Sequence, residues 1–105
     1  MVMKTTWIVA ADASRARVLQ RTGRARPLVA VEDLFNLGRY LQKARQEGRY
    51  DELVVVAPPR LLGTLRGELG REVEKLVAEE IPRDLSGLTA RELSEYFEQG
   101  SARAL

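Results

Sequence analysis

A chain of 105 residues that is 45% hydrophobic and 30% charged has the size and composition of one globular domain, expected over residues 1–105. It contains neither Cys nor His, which excludes disulfides, thiol nucleophiles, imidazole bases and the usual zinc ligands, so no catalytic residue, metal site or cofactor is expected. The net charge of +2 is a small surplus over 15 acids and does not by itself predict a nucleic-acid binder.

The amino terminus leads directly into a strand, Thr6 to Ala11, with no signal-peptide core and no membrane-spanning run. A cytoplasmic protein without membrane contact is expected. Asp12-Ala13-Ser14 reads as a tight polar turn, and Arg15 to Arg21 as the second strand of a hairpin. Within it Arg15, Arg17 and Arg21 share one parity with Leu19, while Ala16 and Val18 share the other. Thr22 to Pro27 reads as a turn, and Leu28 to Asp33 as a third strand. From Phe35 the spacing becomes helical: Leu37, Tyr40, Leu41 and Ala44 form the apolar stripe and Gly48 the stop.

Leu53 to Ala57 is an apolar run without alternation, the pattern of a strand buried on both faces. Pro58-Pro59 ends that ladder and presets the first turn of another helix, along which Leu61, Leu62, Leu65 and Leu69 recur. Gly63, Gly67 and Gly70 each cost about 1 kcal/mol of helix propensity, so that helix is expected to be short or frayed. Val73 to Ile81 then supplies the last strand, centred on Lys75 to Glu79, although its Glu-rich flanks also permit a helical turn at its start. Thr89-Ala90-Arg91-Glu92 matches a capping box, with Leu88 and Leu93 at the staple positions. Leu93, Tyr96 and Phe97 give the final helix its apolar face.

This order, together with Thr6 to Arg17, Arg49 to Gly63 and Ile81 to Thr89, resembles the bacterial host attachment protein family. That family is similar to the middle domain of archaeo-eukaryotic peptide chain release factors. The resemblance implies a single α/β domain of ribonuclease H-like fold, with a mixed five-stranded sheet and the first strand beside the buried fourth. Release factors carry a Gly-Gly-Gln loop before the helix that here begins near Phe35, and this sequence has no such tripeptide. Peptidyl-tRNA hydrolysis is therefore not carried over. Members of the family also hold a longer polar segment before that helix, where here Glu32-Asp33-Leu34 runs directly into Phe35.

In parallel sheets ligands gather beyond the carboxyl ends of the strands. Asp12, Ser14, Pro58 and Arg60 are the tentative ligand-binding residues there, a small crevice suited to an anion or phosphate. The bland alternative is turn hydrogen bonding by Asp12 and a solvated Arg60. Arg15, Arg17, Arg21, Arg24 and Arg26, with nothing acidic from Ala13 to Val31, are the tentative nucleic-acid contacts. Here the bland alternative is an edge strand whose charges discourage pairing. A two-metal nuclease site is not expected, because Asp12, Glu32, Asp33 and Asp51 do not converge. Trp7, entering the sheet, is a core residue or else an anchor for a homodimer. The functional expectation is a non-catalytic binding or accessory module associated with RNA or the ribosome; the alternative is a small hydrolase or phosphate-binding protein using the ends of strands one and four.

Overall fold

Five strands form one mixed sheet in the order β3-β2-β1-β4-β5. The computed structural model describes residues 4–13, 15–22 and 24–103. The strands are β1 (Thr6–Ala11), β2 (Ala16–Thr22), β3 (Arg24–Val31), β4 (Glu52–Val56) and β5 (Val77–Ile81), and the helices are α1 (Leu34–Gln46), α2 (Pro59–Glu74) and α3 (Ala90–Arg103). β1, β2 and β3 form an antiparallel meander, whereas β4 lies parallel to β1 and β5 parallel to β4. The first strand is thus beside the buried fourth, as the family resemblance implies.

The central strand is buried from Leu53 to Ala57 because both of its faces are covered. Trp7, Val9, Leu53 and Val55 pack in one cluster with Leu37 and Leu41 of α1 and Leu65 and Leu69 of α2. On the opposite face Ile8, Leu19, Val54 and Val56 pack with Leu93 and Phe97 of α3. Two helices on one side and one on the other therefore bury alternate residues of the same strands.

Local chemistry sets the helix ends. Asp33 caps α1, its Oδ1 accepting from the Asn36 N–H at 2.7 Å. Gly48, at φ 69, takes the left-handed position just beyond that helix. At α3 the capping box closes reciprocally: the Thr89 hydroxyl accepts from the Glu92 N–H at 3.1 Å, and Glu92 Oε1 accepts from the Thr89 N–H at 2.9 Å.

The structure differs from the sequence expectation in two places. The expected turn from Thr22 to Pro27 is largely strand, because β2 runs to Thr22 and β3 starts at Arg24, with Pro27 opposite Leu19 and a register shift after Val18. β3 is an edge strand, where a proline's missing donor faces away from the ladder. The second difference lies at the end of α2, where a further helical turn follows the break expected from its glycines. The helix continues to Glu74 across a break at Gly70 (φ 79, ψ 164), and β5 begins only at Val77. Leu69 and Val73, on either side of the break, are both buried. The Gln42 side-chain amide donates to the Leu69 carbonyl at 3.2 Å, giving it a partner beside the break.

Tyr50 joins α1 to the strand that follows: its hydroxyl donates to the Leu41 carbonyl at 2.8 Å and its ring lies 4.9 Å from that of Trp7. Burial pushes the phenol up to about 12 from 10.0, against the smaller opposing pull of the Arg45 charge. A pKa raised on folding favours the native state fully below the unfolded value and loses that contribution as pH climbs through the folded one. Stability is therefore expected to fall between about pH 10 and pH 12, and Tyr50→Phe to flatten that decline. Urea melts of both proteins across this range check it; an equal decline in the variant would assign the loss to other groups.

Candidate functional site

The three parallel strands β1, β4 and β5 end at the same sheet edge, which brings together Asp12, the Pro58-Pro59-Arg60 loop and the segment after Ile81. At this edge Asp12 closes a turn: its N–H donates to the Arg15 carbonyl and its Oδ1 accepts from the Arg15 N–H, both at 2.9 Å. Pro58 is half-buried ahead of α2, and Arg60 stands exposed on the first turn of that helix. Ser14 lies outside the described residues.

A second acid shares the edge. Asp84 Oδ1 accepts from both the Ser86 hydroxyl at 2.6 Å and the Ser86 N–H at 3.1 Å. Those bonds hold its carboxyl below the usual carboxylate range, with the nearby negative charge of Asp12 pushing the other way. Arg17 ties this loop to β2, its Nη2 donating to the carbonyls of Leu85 and Ser86 at 3.4 Å each. Sequence reasoning misses Asp84 and Ser86 as residues of this edge, although the Asp-x-Ser spacing is itself the signal of an Asx turn. Only the topology brings them to Asp12, more than seventy positions earlier.

What this edge offers chemically is limited by those bonds. A general base works best with its pKa near neutral, whereas Asp84 is pulled lower by the hydroxyl it accepts from. The carboxylates also do not assemble. Asp33 is engaged as the α1 cap, and Asp51 accepts from the Thr5 N–H at 2.7 Å at the opposite sheet edge. No group of three potential metal ligands occurs among the described residues.

The hairpin arginines divide between two environments. Arg17, Leu19 and Arg21 point to the face that α3 covers. Arg17 holds the Leu85-Ser86 loop, and the Arg21 guanidinium lies 5.6 Å from the Phe97 ring centroid. Both are half-buried. Leu19 at the same parity is the sequence signal that this face is packed. Arg15 and Arg26 are exposed, and the Arg24 side chain lies outside what the structure describes. Trp7 is 1% exposed. Its Nε1 donates to Gln20 Oε1 at 3.2 Å and its ring carries the Arg49 guanidinium at 5.1 Å, so it is a core residue rather than an anchor.

No helix among the described residues is long and apolar enough to cross a membrane. The family described as a protein required for attachment to host cells matches residues 36–97. An uncharacterised protein of Rickettsia prowazekii (strain Madrid E) is 37% identical over 49 residues, which is 45% of this chain and 33% of that protein. The chain thus spans about a third of the length of that curated relative. Among solved structures, an archaeal translation termination factor, aRF1, superposes with a TM-score of 0.59 at 12% identity, over 95% of this chain and 41% of its own. A second, described as an archaeal protein, gives a TM-score of 0.58 at 12% identity with the same coverage. At that identity the likeness concerns the fold: this α/β domain has the architecture of the release factor middle domain.

Proposed function

Because the chain belongs to the family of proteins required for attachment to host cells, we propose that it acts in the cytoplasm as a non-catalytic binding module that engages RNA or the ribosome. The observation that carries this reading is the stretch from Ala13 to Val31, which holds five arginines and no acid and leaves Arg15 and Arg26 exposed. Exposed guanidinium groups in an arginine-rich stretch suit phosphate contacts, which position a nucleic acid without reading its bases. The fold it shares with a translation termination factor supports the same class of partner. The sequence has no Gly-Gly-Gln tripeptide, so the proposed role is binding, without hydrolysis of peptidyl-tRNA.

Ribosomes and ribosomal RNA are expected to bind with an affinity that falls as salt rises. Arg15→Glu combined with Arg26→Glu should lower the slope of log affinity against log salt by about 1 for each phosphate no longer engaged. Arg17 and Arg21 are left intact in this test, since Arg17 holds the loop after β5 and Arg21 packs on Phe97. Nuclease-sensitive recovery of ribosomal components from lysate would agree with the reading. Recovery of the protein alone, or an affinity indifferent to salt and to both substitutions, would overturn it.

A further inference from the structure

Helix α1 holds Arg39, Lys43 and Arg45 and no acidic residue between its Asp33 cap and Glu47. Its inward face, Leu37, Gly38, Leu41 and Ala44, is buried. The outward face carries Phe35, Arg39 and Lys43 at a spacing of four residues, which places them in one stripe with successive members about 6 Å apart along the axis. All three are exposed. Phe35, at 61%, is the large apolar side chain left in solvent among the described residues. The Arg39 guanidinium lies over its ring, 5.9 Å from the centroid, and neither Arg39 nor Lys43 enters an ion pair among the described residues.

We infer that this stripe is a docking surface for single-stranded RNA, with an unpaired base stacked on Phe35 beside Arg39 and the phosphate backbone following Arg39 and Lys43. The inference deepens the RNA reading above and rests on it, but it names a surface distinct from the β2–β3 hairpin. Charge complementarity selects a polyanion. The aromatic face selects the kind: a ring in solvent is matched by the π face of an unpaired base, which a duplex keeps stacked away. An acidic peptide would use the two cations and leave the ring without a role. A membrane surface would require a broad apolar face on the same helix, whereas Phe35 stands there among Arg39, Gln42, Lys43 and Gln46.

The test is fluorescence anisotropy with a labelled single-stranded oligouridylate and, separately, an RNA duplex of equal length, using the full chain. Phe35→Ala should weaken binding of the single strand by about 5- to 150-fold while leaving the salt slope unchanged. Lys43→Glu should instead reduce that slope by about 1. In Phe35→Trp, a new exposed indole joins the buried Trp7, so the single strand should bind as in the parent and quench the added emission. Tight binding by Phe35→Ala, equal affinity for the duplex, or displacement by polyglutamate as readily as by RNA would each overturn the α1 surface. If affinity is lost on changing Arg15 and Arg26 but not Phe35, the α1 surface fails and the RNA reading stands. If the parent binds no RNA, both fail.

Discussion

Val55→Asp is expected to leave the chain without a cooperative unfolding transition. Val55 is 2% exposed, paired with Val9 on one side and Glu80 on the other, in the cluster that joins β1 and β4 to α1 and α2. A carboxylate there would lose its hydration among apolar side chains. Even protonated, it would bury a polar group at a cost of about 1 to 3 kcal/mol by mutational measures, added to the lost apolar burial and the misfit of its shape. Total stabilities of about 5 to 15 kcal/mol leave little margin, because the same substitution disturbs both the helix-covered cluster and the ladder. Val55→Ala separates the effects: it removes two methyl groups, adds no charge, and should cost about 1 to 3 kcal/mol. Thermal melts followed by circular dichroism decide the matter, and a Val55→Asp protein that melts like its parent would falsify the central-strand assignment.

The ease of reading β4 from the sequence follows from the same geometry. A strand covered on both faces has no polar parity, so its burial is written in consecutive residues. The capping box at Thr89 and the stop at Gly48 are legible because their partners lie within a few positions. Features set by distant partners are not. Pro27 looks like a turn until β3 is known to be an edge strand. Gly63, Gly67 and Gly70 look alike in the sequence, yet only Gly70 breaks α2. The face that Arg17 and Arg21 occupy is identifiable from Leu19, but not that Arg17 reaches Leu85 and Ser86, nearly seventy positions away. The sheet edge shared by Asp12 and the Pro58 to Arg60 loop is legible from the expected topology, while Asp84 requires the observed position of β5. Phe35 marks only a helix start in the sequence; its exposure becomes visible once the inward stripe of α1 is fixed by Leu37, Leu41 and Ala44.

Gly38→Ala is expected to destabilise the protein even though it replaces a poor helix former by the best one. Propensity alone predicts a gain of about 1 kcal/mol in a helix interior. At Gly38, however, an added Cβ would overlap the carbonyl oxygen of Glu68 and crowd that residue's carbonyl carbon. The obstacle is backbone of α2, so no rotamer change relieves it and the two helices must move apart. Overpacking of this kind costs about 1 to 3 kcal/mol. The shift also strains the Gln42 bond to the Leu69 carbonyl, a bond of about 1 kcal/mol that serves the turn where Gly70 breaks the helix. Gly63 and Gly67 provide the control within α2, because a Cβ at either meets nothing within 4 Å. Alanine at those two positions should raise the stability measured by urea unfolding, each by about 0.4 to 1 kcal/mol, while alanine at Gly38 lowers it. Opposite signs for one chemical change would locate the close crossing of α1 and α2 at Gly38, the contact that holds the outward stripe of α1 in place. A gain at all three positions would mean that the helices do not approach as closely as Gly38 and Glu68 require.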